Sequence, residues 1–250
     1  MDVRDNRAID FARRRLAEMQ ERALDCRYRF SDGTVIEAAD VVCMPAGTTG
    51  IFTLATDLRG PEIYLDLKLR PAFVHEFLSI MTDKVIERQE YLRSTYSLEH
   101  EGTYICGNSS ALLSPDDYRA FVVPVNQRYK EHFGGRCTLH CDGRANHLLP
   151  IFADELRISC FWSFGYQDDK VLVAGNLGGK AVLVGNISPM NIAHGTPQSV
   201  IAETLEALRV FAPLGGYVIQ DGSNIPPGAP VLNINAMAEA ACIFSNLQPM

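Results

Sequence analysis

The chain has 250 residues, of which 47% are hydrophobic and 21% charged, and this ordinary globular composition excludes collagen, coiled coils and long disorder. A net charge of −7 argues against a nucleic-acid partner, and no apolar run reaches the ~18 residues that span a membrane. The first sixteen residues lack an apolar leader, and an odd number of cysteines, seven, favours reduced thiols, so we predict a cytoplasmic protein.

The elements predicted in chain order begin with a helix that Asp5 and Asn6 can cap and that extends to Leu24. A short hairpin follows at residues 27–35, with its turn at 31–33. Apolar segments then predict strands at 41–44, 51–55, 103–106, 137–141, 158–164, 171–174, 181–184 and 217–219. Amphipathic segments predict helices from about 72 to 93, from the Ser114-Pro115 start, from about 144 to before 157, from 196 to before 215, and from about 233 to 244.

This alternation of strands and helices predicts the α/β class with a mostly parallel sheet. Polar residues follow several strands directly, at 108–110, 140–143, 185–186 and 221–223. In a (β/α)8 TIM-barrel-like fold such strand ends converge on one face, where active sites form, so we favour a barrel over an open doubly wound sheet. We treat residues 1–250 as a single domain, in which residues 1–45 form an atypical N-terminal segment.

The turn at residues 140–143 combines a nitrogen, a sulfur and an oxygen ligand type. On an extended backbone His140 and Asp142 lie on one side and Cys141 lies on the other. We therefore expect His140 and Asp142 to face the active-site mouth together, as catalytic or metal-binding groups, while Cys141 packs into the wall. The alternative is a structural turn in which the histidine is only hydrogen-bonded to the aspartate.

Other polar residues near predicted strand ends are further candidates. Asp221 follows the last strand and can point into the mouth with Ser223, which makes Asp221 a catalytic candidate. Asn108 and Asn186 each carry an amide that can donate and accept a hydrogen bond, so we expect them to bind substrate. His194, just before a helix start, is the third candidate for substrate binding. The acidic pair at 168–169 is typical of a solvated turn. The alternative for the segment after the last strand is a loop that only turns the chain, and the alternative for His194 is a helix-capping residue.

Four motifs occur in order along the chain. The first is the helix start SPDDYRAF at 114–121, followed by Pro124, and the second is HCDG at 140–143. The third is GNISP at 185–189 with GTP at 195–197, and the fourth is DGSNIPPGAP at 221–230, followed by Asn233 and Met237. Together they resemble the uroporphyrinogen decarboxylase superfamily, and their layout is most similar to its cobalamin-dependent methyltransferase branch, which has H-x-C-G at the second motif.

The resemblance implies a (β/α)8 barrel and either decarboxylation of a tetrapyrrole or methyl exchange with a corrinoid protein. The chain lacks the decarboxylase's R-Q-A-G-R segment, whose arginines hold substrate carboxylates, and this favours the methyltransferase branch. Fewer strands match the family than a full barrel needs, which implies a barrel shortened at its N-terminus, rebuilt there or completed by a partner.

In the thiol-specific methyltransferases of this branch, the histidine and cysteine of H-x-C and a later cysteine bind zinc. Carried onto this chain, these positions are His140, Asp142 and Ser223, so oxygen replaces sulfur at two of them. Such a zinc site would be harder and more Lewis-acidic, and would suit an oxygen or amine leaving group. The alternative is that the metal has been lost.

We therefore predict an enzyme that moves a methyl group between a small methylated substrate and cobalamin carried by a corrinoid protein. The substrate is expected to be an ether, including aryl ones, or an amine. The expected partners are the methyl donor, the corrinoid protein and further copies of the chain. The alternatives are a decarboxylase-like carboxy-lyase and a metal-free binding protein whose site has decayed.

Overall fold

The computed structural model describes residues 7–29, 33–38, 50–96 and 102–247, which fall into two compact units. The first unit holds helix α1 (Arg7–Ala23), the antiparallel hairpin of β1 (Arg27–Arg29) and β2 (Val35–Glu37), and residues 83–96. Within it the guanidinium of Arg13 donates to the hydroxyl of Tyr91 across 3.2 Å. The predicted first helix and hairpin are confirmed, whereas the strand predicted at 41–44 and most of the hairpin turn lie outside the described residues.

The second unit, whose described residues are 50–82 and 102–247, contains a parallel sheet and the candidate site. Its strands are β3 (Thr103–Cys106), β4 (Cys137–His140), β5 (Cys160–Trp162), β6 (Val182–Ile187) and β7 (Tyr217–Asp221). They pair in chain order, and each pair is parallel. A doubly wound sheet reverses its strand order at a switch point, whereas a β/α barrel adds each strand beside the last. The order supports the predicted barrel arrangement; a single domain over residues 1–250 stays a prediction.

Local capping signals explain where several helices begin. The bounds are α2 (Ile51–Arg59), α3 (Ile63–Leu69), α4 (Pro71–Tyr96), α5 (Val123–His132), α6 (Lys170–Leu177), α7 (Pro189–His194), α8 (Pro197–Phe211) and α9 (Val231–Leu247). Thr196 and Ser199 accept each other's backbone N–H in a reciprocal cap, with Pro197 as the first residue of α8.

In the part of the chain that the structure describes, no helix has the length and hydrophobicity of a bilayer span.

Two of the predicted strands are wrong, because residues 51–55 lie in α2 and residues 171–174 lie in α6. The buried residues of α2 are Ile51, Phe52 and Ala55, a helical spacing that a short apolar run conceals. Helix α6 begins at a cap, in which the Asp169 carboxylate accepts from two backbone N–H groups of the first turn. Asp169 stands just before the apolar run, where an aspartate is a typical helix cap, so the sequence did carry a signal that favoured a helix over a strand.

The helix predicted from about 144 to before 157 is present, but it is irregular. It runs without a break from a 3-10 turn, Asn146–Leu148, through α-helical residues 149–150 into a π-helical turn, Ile151–Glu155. Pro150 has a helical backbone conformation, and its missing N–H removes one bond of a regular α-helical ladder. This irregular segment directly follows the turn that carries His140 and Asp142.

The core of the second unit lies on the outer face of the sheet, beneath the helices. Ile105, Leu139 and Phe161 on three neighbouring strands are at most 2% exposed. Ring centroids 5.0 to 5.7 Å apart join a series of aromatic side chains, Phe152, Phe161, Phe164, Phe211 and Tyr217. Each such pair contributes about 0.5–1.5 kcal/mol beyond the burial of its surface. The packing of this face therefore holds the strands in place.

Along β3, β4 and β5 these core residues alternate with residues on the opposite face of the sheet, which we call the inner face. It carries Tyr104, Cys106, Thr138, His140, Cys160 and Trp162. The strand register places Cys106, His140 and Trp162 beside one another at the carboxyl ends of the three strands. Because the loops after the strands start there, this end of the inner face borders the candidate site.

Candidate active site

The centre of the candidate site is a contact between the loops that follow β4 and β7. The hydroxyl of Ser223 donates to Oδ2 of Asp142 across 2.9 Å, although 81 positions separate the two residues. The backbone N–H of Asp142 donates to Oδ1 of Asn108, 3.2 Å away, in the loop after β3. Three strand ends therefore supply one polar cluster, and three residues predicted from the sequence meet in it.

His140 ends β4 at the edge of this cluster and is half-buried. Its ring Nδ1 lies 3.2 Å from the carbonyl oxygen of Trp162, and because a carbonyl can only accept, Nδ1 carries the hydrogen. The other ring nitrogen, Nε2, then keeps a lone pair for a proton or a metal. The ring of Tyr104 lies 6.4 Å from that of His140, and burial, with smaller contributions from Cys106 and Asp142, raises the pKa of Tyr104.

Cys141 faces away from the cluster, as the alternation along an extended backbone predicts. It is 1% exposed, and its thiol lies 3.8 Å from the carbonyl oxygen of Gly143. Burial is the largest of the effects that raise the pKa of Cys141 to about 12. The thiol is therefore protonated at neutral pH, and a thiolate ligand at this position is disfavoured.

Asp221 is the last residue of β7 and is 8% exposed. Its Oδ2 accepts the backbone N–H of Ser223 across 3.3 Å, so Ser223 is hydrogen-bonded to two carboxylates, Asp221 through its N–H and Asp142 through its hydroxyl. Burial raises the pKa of Asp221, and this hydrogen bond offsets part of the shift. The carboxyl of Asp221 thus holds a proton to higher pH than an exposed aspartate does.

The structure places the remaining two predicted site residues differently. Asn186 is fully buried in β6, and its Nδ2 donates to the carbonyl oxygen of Gly165 across 3.3 Å. Its Oδ1 has no hydrogen-bond partner among the described residues. His194 is the last residue of α7, and its side chain is exposed. Substrate binding by Asn186 and by His194 stays a prediction.

Two hydrogen bonds join the loop after β5 to the loop after β4. The N–H of Gly165 donates to the carbonyl of Cys141 across 3.1 Å, and the N–H of Ala145 donates to Oδ1 of Asp168 across 2.7 Å. A Cβ at Gly165 would lie 2.8 Å from the carbonyl oxygen of Asp142, so only glycine allows this approach. The backbone of the turn after β4 is therefore held in place by the loop after the neighbouring strand.

Asp168 is buried, contrary to the solvated turn expected from its acidic neighbour. It is 4% exposed, and its Oδ2 has no hydrogen-bond partner among the described residues. Burial raises the pKa of Asp168 to about 6, against the opposing effects of the Ala145 and Asn146 N–H groups and of the charges on Arg144 and His147. The sequence carries no signal that separates this buried aspartate from the exposed one that follows it.

Two further residues at the site escaped prediction. Ser163 is 1% exposed, has a φ of 48° and donates its hydroxyl to the carbonyl oxygen of Ser223 across 3.2 Å. A left-handed conformation at a serine has no sequence signature, because glycine and asparagine are the residues that favour it. Trp162 was detectable in principle, since it is the single tryptophan of the chain and lies within a predicted strand.

The donor set does not match the zinc site that the sequence resemblance implies. Within residues 7–29, 33–38, 50–96 and 102–247, no three His, Cys, Asp or Glu side chains are grouped to hold a metal ion. His140 and Asp142 offer two donors, and Ser223 uses its hydroxyl hydrogen to contact Asp142. A hydroxyl is a weaker zinc ligand than a thiolate, so we derive no chemical step from a metal here.

A cleft of about 500 Å³ lies elsewhere, at the turn that precedes β5. Its lining residues include Lys130, Glu155 and Arg157, which belong to the amino-terminal side of the sheet. Active sites of β/α barrels form at the carboxyl ends of the strands, and the polar cluster lies there. We therefore place the candidate site at the cluster and not at this cleft.

Comparison with known proteins gives consistent matches. A family model described as uroporphyrinogen decarboxylase (URO-D) matches residues 7–242. Methylcobamide:CoM methyltransferase MtaA of Methanosarcina barkeri is 28% identical over 203 residues, which are 78% of this chain and 56% of that protein. A uroporphyrinogen decarboxylase of Chlorobium luteolum is 24% identical over 202 residues, which are 76% of this chain and 55% of that protein.

A solved methyltransferase from Methanosarcina mazei has a TM-score of 0.61 and 23% sequence identity with this chain, and the match covers 80% of this chain and 58% of the other. This likeness confirms the predicted α/β barrel fold class. The chain spans about half the length of the curated relatives that it matches.

Proposed function

Because the chain belongs to the uroporphyrinogen decarboxylase family, we propose that it is an enzyme that moves a methyl group between a small methylated ether or amine and a corrinoid protein. The observation that supports this most is the contact of Asp142 with Ser223, which fills the two positions of the expected cysteines with oxygen donors. The relatives named as methyltransferases suggest the reaction class, methyl transfer. The oxygen atoms of Asp142 and Ser223 suggest that the methyl group leaves an oxygen or nitrogen atom of the substrate.

Methyl transfer from an ether or amine requires stabilisation of the leaving oxygen or nitrogen. In the proposed reaction the bond between the methyl carbon and that atom breaks, and its electron pair stays on the leaving atom, which takes a proton. The corrinoid partner would accept the methyl group at reduced cobalt(I), which would supply the electron pair of the new bond. Nε2 of His140 is the proposed proton donor once it has taken up a proton from solvent, and the bond from Nδ1 to the Trp162 carbonyl fixes the ring for that role. Asp142, held by Ser223 and Asn108, is a second polar group of the same turn and is proposed to contact the substrate.

Asp221 is the second proposed acid–base group. It accepts the backbone N–H of Ser223, and its raised pKa suits a group that exchanges protons. Zinc remains a proposal that needs a donor beyond His140 and Asp142, such as a substrate atom or a water molecule.

A cytoplasmic location is also proposed, because all six cysteines among the described residues are free thiols.

A carboxy-lyase is the alternative within the family. A polyanionic tetrapyrrole would have to approach the carboxylates of Asp142 and Asp221, both hydrogen-bonded to Ser223, and like charges disfavour that approach. The arrangement therefore supports a neutral or cationic substrate. Association with further copies of the chain stays a prediction.

The test is methyl transfer to a reduced corrinoid protein, followed by the change in its visible absorption. A panel of methyl ethers and methylated amines serves as donors, and His140→Ala serves as the inactive control. Transfer from at least one donor, lost in the variant, supports the proposal. Release of carbon dioxide from a carboxylated tetrapyrrole would support the alternative instead, and binding of donors without turnover would indicate a decayed site.

A further inference from the structure

Three aromatic side chains occupy the inner face of three neighbouring strands. Tyr104 lies on β3, His140 on β4 and Trp162 on β5, and the strand register pairs His140 directly with Trp162. Phe161, one position before the tryptophan, is fully buried on the outer face, whereas Trp162 is 44% exposed. An indole that is nearly half exposed beside a polar cluster offers an aromatic surface to a ligand.

The backbone of Trp162 is tied to the candidate site on both sides. Its carbonyl oxygen accepts from Nδ1 of His140 across 3.2 Å, and the next residue, Ser163, donates its hydroxyl to the carbonyl of Ser223 across 3.2 Å. Ser223 in turn donates to Asp142. The backbone that carries the indole is thus held beside the proposed proton donor and the Asp142–Ser223 pair.

We infer that the inner face of β3 to β5 binds the aromatic ring of the methyl donor, so that the substrate class of this site is the aryl methyl ethers. The inference rests on the proposed methyl transfer and narrows its substrate. The ring of the donor stacks against Trp162 and Tyr104, and its methoxy oxygen faces His140. The leaving group is then a phenol, formed when the methyl–oxygen bond breaks and the phenolate oxygen takes the proton from Nε2 of His140.

The mutual orientation of the rings favours a flat ligand over a methylated ammonium ion. The rings of Tyr104 and His140 are only 18° from parallel, with centroids 6.4 Å apart. Ammonium groups are best held by aromatic cages, in which rings meet at steep angles around a round cation. The two nearly parallel rings of Tyr104 and His140 suit a planar ligand, which gains offset-stacked or edge contacts from them.

The single tryptophan of the chain makes this binding directly measurable. The intact protein is titrated with methoxybenzene, with methoxycyclohexane as the ring-saturated control and tetramethylammonium as the cationic control, while the emission of Trp162 is recorded. We expect saturable quenching by methoxybenzene with a Kd about 10-fold lower than for either control. Equal or tighter binding of a control would overturn the inference.

Variants at Trp162 separate ring stacking from simple exclusion of water. By calorimetry, Trp162→Leu should raise the Kd for methoxybenzene about 10-fold, whereas Trp162→Phe should stay within about 3-fold of the wild type. Leu247→Ala, at an exposed side chain that ends helix α9, is the control for unspecific effects. Circular dichroism verifies folding, and Tyr104→Leu provides a second aromatic deletion. No change in either deletion would overturn the inference.

The failure of this inference is distinguishable from failure of the proposed function. Selective binding of methoxybenzene without methyl transfer would leave the aromatic site standing and remove the proposed reaction. Methyl transfer from aliphatic donors with a KM that Trp162→Leu does not change would leave the reaction standing and remove the aromatic site. A Trp162 emission that shifts to the blue with rising protein concentration, without donor, would show that another copy covers the face, and would also overturn the inference.

Discussion

Ser223 and Asp142 are joined by a hydrogen bond of 2.9 Å between the loops after β7 and β4. The two side chains fill positions that hold zinc-binding cysteines in thiol-specific relatives, according to the sequence resemblance. Their contact means that both positions already point at each other. The backbone therefore brings these two positions together, and both of their side chains carry oxygen donors.

The double substitution Asp142→Cys with Ser223→Cys should create a zinc site. Together with His140 it supplies two thiolates and one imidazole, the donor set of many zinc sites. We expect zinc affinity at least about 100-fold above that of the wild type, measured by competition with a chromogenic chelator. Adding Cys141→Ser to this variant should not reduce the affinity. Unchanged affinity in the double variant would show that the two positions do not converge.

Replacing His140 should slow methyl transfer, whereas replacing Cys141 should leave its rate nearly unchanged. His140→Ala removes the proposed proton donor and should lower the rate of methyl transfer by about 10² to 10⁴. Cys141→Ser changes a buried, protonated thiol that faces the wall, and the rate should stay within about 3-fold. Single-turnover transfer to the corrinoid protein measures both. A loss confined to Cys141→Ser would assign the function to the thiol.

Deprotonation of the buried Asp168 should lower the free energy of unfolding as the pH rises. Its pKa is raised from 3.8 to about 6, so the folded state binds more protons than the unfolded state between these values. The free energy of unfolding should therefore fall between pH 4 and pH 6, by on the order of 3 kcal/mol in total. Urea unfolding of Asp168→Asn should lack this decline, because the amide does not titrate there. An identical pH dependence in both proteins would contradict the assignment.

A methyl group at Gly165 should disturb the turn after β4. The added Cβ would come within 2.8 Å of the Asp142 carbonyl oxygen and 2.9 Å of the Gly143 carbonyl oxygen. We expect Gly165→Ala to lower methyl transfer by about 10-fold or more and to destabilise the fold by about 1–3 kcal/mol, a typical cost of overpacking. Thermal unfolding and transfer rates measure the two effects.

Gly175→Ala is the matched control for that substitution. Gly175 lies inside α6, and a Cβ there meets no atom within 4 Å. Alanine should stabilise the helix by about 0.5–1 kcal/mol and leave methyl transfer unchanged. Equal behaviour of the two alanine variants would show that the close approach at Gly165 has no role.

Strand ends were predictable because parallel strands leave a simple pattern of apolar runs followed by polar residues. The ends of β3 and β4 lie within one residue of the predicted positions, and His140 and Asp142 followed from alternation alone. The resemblance to known motifs located Ser223. Segments 51–55 and 171–174 failed because four or five apolar residues fit a strand and one side of a helix equally well.

The connections between loops could not be predicted, because they depend on contacts between distant residues. The burial of Asp168 results from the path of the loop after β5, and the left-handed Ser163 results from the bond it makes to Ser223. Neither leaves a mark on the local sequence. The aromatic character of the inner face required the register of β4 and β5, which only the fold provides.

The loops around the site are bonded mainly to one another. The turn after β4 is held by Gly165 and Asp168 from the loop after β5, by Asn108 from the loop after β3 and by Ser223 from the loop after β7. Exchange of one loop with a relative would remove partners from the others and leave polar groups unpaired. A change of substrate by loop grafting therefore requires these loops to be transplanted together, as a single interdependent set.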